Sequence, residues 1–310
     1  MNGTTRAGFA AIIGAPNAGK STLVNRLVGS KVSIVTHKVQ TTRFPIRGVM
    51  MRGASQVILV DTPGIFAPKR RLDRAMVRSA WEGAGDADAV VHLVDARLWV
   101  SHERQFEKER GHDDDEGVIA RLREIGKQAV LALNKIDLLD RAALLSVARK
   151  LFETGVYSDV FMISGLNGDG VDALADMLAA RMPEGPYLFP EDQAADMPVR
   201  LLAAEILREK LMLRLHQELP YQLTVETENW ETHDNGSVRI DQVIYVAREG
   251  HRSIILGKGG LTIKEIGMSA RKELAQILGR PVHLFTRVKV SERWQESRER
   301  FSAIGLDFDV

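Results

Sequence analysis

"GAPNAGKST", residues 14–22, decides how the front of this 310-residue chain folds. Gly14-Ala15-Pro16-Asn17-Ala18-Gly19-Lys20-Ser21 meets the pattern G-x-x-x-x-G-K-[ST] at every fixed position, and Thr22 follows it. Upstream, "GFAAIIG" is a short apolar run that reads as a buried strand. Downstream, "STLVNRLVG" places Leu23, Leu27 and Val28 at helical spacing and stops at Gly29. Strand, glycine loop and helix in this order let main-chain N–H groups turn inward around a β-phosphate, with the partial positive charge of a helix start behind them. Lys20 then supplies a full charge for the β- and γ-phosphates, and Ser21 a hydroxyl for Mg²⁺. A plain glycine turn is the ordinary alternative, and both flanks speak against it. The loop alone does not choose between ATP and GTP.

The base is chosen further along. "AVLALNKIDLL" is an apolar strand that ends in Asn134-Lys135-Ile136-Asp137. Asp137 can accept two hydrogen bonds from the N1–H and exocyclic amine of guanine, an edge that adenine lacks. Asn134 is expected on the other side of the base, with the alkyl stem of Lys135 over the ring. Between the two motifs, "QVILVDTPGIF" is another strand, ending in Asp61-Thr62-Pro63-Gly64-Ile65. Asp61 sits where Mg²⁺ needs an outer-shell carboxylate, and the Gly64 N–H is a donor for a γ-phosphate. The preceding "HKVQTTRFP" offers Thr41 and Thr42 to close over Mg²⁺, with Thr42 favoured.

The set GAPNAGKS, QTTR, DTPG and NKID, in this order, resembles the TRAFAC class of GTPases and is most similar to the bacterial Era family. A fifth element, Ser164-Gly165-Leu166 in "FMISGLNGDG", stands where that family usually has Ser-Ala. The resemblance implies that a backbone N–H there meets the guanine O6, which glycine supplies as well as alanine. Ras-like GTPases carry at position 65 the glutamine that orients the attacking water, and isoleucine cannot hydrogen-bond water. Slow intrinsic turnover follows, with Lys20, Asn17, Thr42 and Gly64 as the catalytic candidates. Relatives with the same loop asparagine use it to hold K⁺, while the plainer role for Asn17 is to bond its own backbone; both stay open.

Composition bounds the rest. Hydrophobic residues make up 45%, no cysteine is present, and the formal net charge is +1. These values exclude disulfides, thiolate metal sites and a globally basic nucleic-acid binder. No run of about 18 apolar residues occurs, and "MNGTTRAGFAAIIG" has too short an apolar run for a signal peptide, so an intracellular protein is expected. Strand-like runs near 8–14, 56–61, 89–95, 129–133 and 160–163 alternate with helical patterns, the signature of a doubly wound, mostly parallel α/β sheet. The almost wholly charged stretch 101–117 reads as a solvated insertion; His102 and His112 lie in it beside carboxylates, with no fixed ligand spacing. The expected partition is a G domain over 6–182, a proline-rich linker over 183–197, a second domain over 198–290, and a C-terminal helix and tail over 291–310.

The second domain reads as an amphipathic helix with Leu201, Ala204, Ile206, Leu207 and Leu211 on its apolar positions, then two strands joined by a turn at Asp234-Asn235-Gly236. Two helices around Gly257-Lys258-Gly259-Gly260 and a last strand, "PVHLFTRVKV", complete it. The order α, β, β, α, α, β around a Gly-x-x-Gly loop resembles a type II KH domain, an α+β fold. Such a loop lets the backbone lie against RNA phosphates. Between Tyr245 and Val290 nine Lys and Arg, among them Arg252, Lys258, Lys264 and Arg271, stand against three Glu, a local charge of +6. Trp294 and Phe301, seven apart, are expected on one face of a helix that packs on this domain.

A G domain followed by a KH domain is the Era architecture. The resemblance implies a GTP/GDP-binding, Mg²⁺-dependent GTPase, monomeric and cytoplasmic with loose inner-membrane association. Its implied partners are 16S rRNA near the 3′ end and the maturing 30S subunit. Two rivals stand beside it: an RNA-binding nucleotide sensor with incidental hydrolysis, and another TRAFAC GTPase acting on a different RNA.

Overall fold

The computed structural model describes residues 4–103, 110–216 and 218–310. Part of the charged stretch 101–117 therefore lies outside the described residues. The chain divides into two units, residues 1–196 with 304–310, and residues 197–303.

Unit 1 is built on β1 (Arg6–Ile13), whose end feeds the loop 14–19 and α1 (Lys20–Val28). It continues through β2 (Ile46–Arg52), β3 (Ser55–Asp61), α2 (Arg71–Asp86), β4 (Ala89–Asp95), α3 (Ala96–Glu103) and α4 (Arg110–Glu124). The unit's last elements are β5 (Ala129–Asn134), α5 (Arg141–Phe152), β6 (Tyr157–Met162) and α6 (Val171–Arg181). The sheet order is β2-β3-β1-β4-β5-β6, parallel throughout except β2. All residues of β3, β4 and β5 are buried, which is why they read as unbroken apolar runs. Alternate residues of β1 serve two cores. Ala10 and Ile12 pack with Leu23 of α1 and Leu174 and Leu178 of α6. Ala11 and Ile13 pack with Ala80 of α2, Trp99 of α3, Leu122 of α4 and Val147 of α5. Helices thus cover both faces, and every loop that follows a parallel strand emerges on one edge of the sheet.

Strand β2 was not anticipated by the periodicity: "IRGVMMR" lacks alternation because Arg47 and Arg52 reach outward to ion pairs at 3.2 Å with Asp196 and 3.0 Å with Asp172. The expected linker is likewise more tightly held than its prolines suggest. Ala7 N donates to Pro183 O at 3.1 Å, Gln56 bridges Leu188 and Phe189, and Val49 N donates to Ala194 O at 2.9 Å. Residues 183–196 thus use edge donors and acceptors of unit 1 that would otherwise be unpaired, and the division falls at Asp196–Met197.

Unit 2 runs α7 (Val199–Arg214), β7 (Leu223–Thr232), β8 (Val238–Val246), α8 (Glu249–Leu256), α9 (Leu261–Leu278), β9 (Val282–Val290) and α10 (Arg298–Ala303). Strand β8 is central, antiparallel to β7 and parallel to β9. One face of this sheet is covered by the buried side of α7, including Ile206, Leu207 and Leu211, and by Ile266, Ala270 and Leu274 of α9. The C-terminal segment is not one helix. Trp294 sits in a short turn of 3₁₀ helix, Phe301 in α10, and both are buried within unit 2, with Trp294 Nε1 donating to Gln222 O at 3.2 Å.

Candidate functional site

The loop 14–19 is held in a conformation its sequence dictates. Gly14 adopts φ 147°, and a Cβ there would lie 2.2 Å from the Leu93 carbonyl oxygen of β4. Gly19 adopts φ 104°, with Asn134 Nδ2 only 2.4 Å from where its Cβ would stand. Asn17 takes φ 64°, a left-handed conformation that asparagine tolerates better than most residues. Among the described residues its side chain makes no hydrogen bond, so the self-bonding role is not what fixes the turn. Ala15 and Ala18 are buried, and Pro16 packs against Gly64.

Lys20 is buried at the start of α1, and its Nζ donates to Gly14 O at 3.0 Å and Ala15 O at 2.8 Å. Burial pulls its pKa down to about 8, against the opposing pull of Asp61. The ammonium thus satisfies itself on the loop's own carbonyls, in the place where phosphate oxygens would compete for it. Lys20, Ser21, Thr22, Thr36, Thr42 and Gly64 are among the residues lining a cavity of about 410 Å³.

Asp61, at the end of β3, gathers three hydroxyls. Ser21 Oγ, Ser33 Oγ and Thr42 Oγ1 donate to its Oδ2 at 2.7, 2.5 and 3.2 Å, and Ser21 and Thr42 lie 3.0 Å apart. Burial pushes its carboxyl pKa up, opposed by these hydrogen bonds, Ser33's first. Its Oδ1 is buried with no hydrogen-bond partner. An orphaned carboxylate oxygen beside two hydroxyls is a hard, all-oxygen donor set, and it fits Mg²⁺. Thr41 points elsewhere, its hydroxyl meeting Thr36 at 2.6 Å and Lys38 O at 2.7 Å. Ser33, which has no signal in the sequence, is held by Asn25 through two hydrogen bonds, and Asn25 Oδ1 also accepts from Val32 N.

The next loop is anchored from below. Thr62 is buried and donates to Ile12 O at 2.7 Å, so its hydroxyl serves the loop and not a ligand. Pro63 and Gly64 are buried too, Ile65 N donates to Gly14 O at 3.0 Å, and the Ile65 side chain is sunk in the core with Ile13 and Trp99. Gln40, at φ 56°, donates to Asp73 Oδ1 at 3.1 Å, while Asp73 Oδ2 accepts from Lys69 N and Arg70 N at the start of α2. This tie between the two loops was also invisible in the sequence.

On the base side Asn134 acts as a brace. Its Nδ2 donates to Ala18 O at 2.7 Å and its Oδ1 accepts from Gly165 N at 2.9 Å, joining the ends of three loops. Lys135, in the left-handed region at φ 65°, donates to Asn17 O at 2.8 Å and pairs with Asp95, which Arg97 also holds at 2.7 Å. Asp95 and Arg97 were not foreseen. Ile136 and Asp137 lie in a 3₁₀ turn with Asp137 exposed. Ser164 Oγ accepts from Asn167 N at 3.1 Å, and Leu166 is exposed with its carbonyl on Arg26.

In unit 2, Gly257, Gly259 and Gly260 adopt φ of 69°, 59° and 77°, the last just before α9 begins. Lys258, Lys264 and Arg271 are exposed and form no ion pair among the described residues, whereas Arg252 pairs with Glu249 at 2.9 Å. The local +6 is smaller than the count along the chain, because Glu228 of β7 meets both Arg287 and Lys289 at 2.8 Å. Ile254, Leu261 and Met268 stand exposed beside the loop and along α9. They offer apolar surface for a base face that the charge count did not reveal.

These two units correspond to known sequence families. The model described as 50S ribosome-binding GTPase matches residues 9–135, and that of the KH domain residues 218–295. The chain is 61% identical to GTPase Era of Caulobacter vibrioides (strain NA1000 / CB15N) over 309 residues, 99% of this chain and 98% of that one. It is 55% identical to GTPase Era of Brucella suis biovar 1 (strain 1330) over 98% of this chain and 94% of that one. Among solved structures it is similar to an Aquifex aeolicus Era variant bound to GDP·AlF₄⁻, with TM-score 0.87 and 36% identity over 97% of this chain and 99% of that one. It is equally similar to Era in complex with MgGDPNP and nucleotides 1506–1542 of 16S ribosomal RNA, with TM-score 0.88 and 36% identity over the same shares. With this identity over nearly its whole length, and with a GTPase match in one unit and a KH match in the other, the chain belongs to the Era family of GTPases.

Proposed function

We propose that this GTPase is a nucleotide-operated RNA binder that engages single-stranded 16S rRNA near its 3′ end and acts in assembly of the 30S subunit. The observation that carries this is the likeness, over 97% of the chain, to an Era bound at once to MgGDPNP and 16S nucleotides 1506–1542. The glycine turn 257–260, with Lys258, Lys264 and Arg271 exposed and unpaired among the described residues, supports the RNA half. Backbone N–H groups there can meet phosphates while the neighbouring apolar side chains take base faces.

In the G domain, Lys20 exchanges its loop carbonyls for phosphate oxygens, and Asp137 selects guanine. Ser21 and Thr42 hold Mg²⁺, with Asp61 as their hydrogen-bonding partner behind them. The ion, when bound, neutralises phosphate charge. Gly64 N–H reports on the γ-phosphate. Ile65, sunk in the core, leaves no side chain to orient water, so intrinsic turnover is slow, on the order of 10⁻⁴ to 10⁻³ s⁻¹. The exposed Asn17 carboxamide, free of hydrogen bonds among the described residues, is available to K⁺. The proposed place of work is the cytoplasm, as a monomer, with the loose inner-membrane association that the family resemblance carries. No helix among the described residues is long and apolar enough to cross a membrane.

The burial of Ile65 also favours a second reading, in which the protein is an RNA-binding sensor and hydrolysis is incidental. GTP turnover in K⁺ buffer, with and without an oligonucleotide copying the 3′ end of 16S rRNA, separates the two. A severalfold rise that disappears in a Gly257→Asp/Gly260→Asp variant supports the coupled machine. Basal turnover with intact RNA binding supports the sensor, and no RNA binding at all removes both.

A further inference from the structure

Helix α4 opens with a histidine whose surroundings the GTPase reading does not use. The His112 side chain is only 4% exposed, yet among the described residues neither its Nδ1 nor its Nε2 has a hydrogen-bond partner. A buried imidazole with both nitrogens unmet is costly, and a ligand at Nδ1 would offset part of that cost. The ring is clamped between Trp99 and His102 of α3, with centroids 4.2 and 3.8 Å away. Its Nδ1 faces Asp113 Oδ1 at 3.8 Å and Glu116 Oε2 at 4.0 Å, too far for hydrogen bonds. The three donor atoms all lie within 4.8 Å of one another. Among the described residues, neither carboxylate meets a lysine or arginine.

We propose that His112, Asp113 and Glu116 form a binding site for a borderline divalent cation of the Zn²⁺ class, separate from the nucleotide site. The i, i+4 spacing places His112 and Glu116 on one face of the helix, and Asp113 adjoins them. One imidazole with two carboxylates favours Zn²⁺ or Co²⁺ over Mg²⁺ or Ca²⁺, and it leaves a fourth position for water. Metal–ligand bonds of about 2.0–2.2 Å put tetrahedral donors roughly 3.3 Å apart, so donor atoms now within 4.8 Å of one another must close by up to about 1.5 Å, a movement the two exposed carboxylates share. The bound charge would neutralise both carboxylates and fix the start of α4 beneath Trp99 and His102.

The test uses the full chain saturated with GDP and excess Mg²⁺, so that the nucleotide site is filled. Titration with ZnCl₂ followed by calorimetry is expected to show one equivalent bound, with a rise in melting temperature, and CoCl₂ is expected to give visible bands of a low-coordinate nitrogen–oxygen site. The Asp113→Asn/Glu116→Gln variant, altered only at exposed positions, should lose at least tenfold in Zn²⁺ affinity and keep its GDP affinity. His112→Asn should abolish the Co²⁺ bands. The proposal is overturned if the wild type takes up no Zn²⁺ under these conditions, or if the carboxylate variant binds it as tightly.

Discussion

The loop at residues 14–19 and the loop at residues 257–260 both start a helix and both depend on left-handed backbone, yet they differ in what surrounds them. In the first, a Cβ at Gly14 or Gly19 would strike Leu93 O or Asn134 Nδ2 at 2.2 and 2.4 Å. In the second, only Gly257 is tight, with Thr262 Oγ1 2.1 Å from where its Cβ would be, and nothing lies within 4 Å of a Cβ on Gly259 or Gly260. The same inward-facing N–H groups therefore work in a walled, low-dielectric cradle in one case and in water in the other. A walled cradle suits a small polyanion held whole, and an open one suits phosphates of a polymer met in passing and released.

The largest effect expected lies outside both loops. Asp137→Asn should erase most of the preference for GTP over ATP, a preference of roughly 10⁴-fold for sites built on a matched hydrogen-bonding edge. Competition binding with both nucleotides checks it, and unchanged discrimination would move base choice to another residue. The loops themselves come next. Gly14→Ala should weaken GDP binding by about 3 kcal/mol or more, because strain and a backbone clash add, whereas Gly259→Ala should cost RNA affinity only about 1–2 kcal/mol, the left-handed strain alone. Equal losses, read by fluorescent GDP and by RNA anisotropy, would break the contrast.

A third effect is read in pH. Lys20 has a folded pKa near 8 against an ordinary 10.5. Between those values the unfolded chain keeps a proton that the folded, nucleotide-free chain has released. Stability from this group is therefore lowest below about pH 8 and rises with pH, by about 3 kcal/mol in all. Urea melts should show the rise, and Lys20→Met or bound GDP should remove it. Fourth, Asn134→Ala leaves the buried Ala18 carbonyl and Gly165 N–H unpaired and should destabilise unit 1 by about 1–3 kcal/mol, even without nucleotide. The smallest effect is Gly165→Ala. Its φ is not left-handed, and the nearest atom to a new Cβ is Asn134 Oδ1 at an ordinary 3.4 Å. A gain of about 0.4–1 kcal/mol is expected in denaturant unfolding, and a loss would mean the 164–166 loop needs glycine for another reason.

Much of the site was legible because its parts are contiguous. The phosphate loop, Asp61 to Gly64, and Asn134 to Asp137 each lie at the end of a largely buried parallel strand, so an apolar run followed by a short polar signature marks them. Sequence favours Thr42 over Thr41 on little; through space the Thr42 hydroxyl lies 3.2 Å from Asp61 Oδ2, while that of Thr41 is taken by Thr36 and Lys38. Ser33 with Asp61, Asp95 with Lys135, and the Gln40–Asp73 tie leave no signal, since each is a pairing between distant segments with no fixed spacing. Strand β2 escaped for a related reason: its arginines spend their charge on partners more than 100 residues away.

By itself the sequence determined the two-part α/β and α+β organisation, the strand-end loops and the residue types able to hold phosphate, guanine and RNA backbone. Those follow from local rules: periodicity, the conformational needs of glycine, and donor–acceptor chemistry at short spacing. Only the tertiary structure decided that Asn134 braces three loops, that Ile65 is a core anchor, that Glu228 offsets two of the basic residues, and that His112 is buried with both nitrogens unmet. Each depends on which side chains meet through space and how far water is excluded from them, and neither is written in the order of residues along the chain.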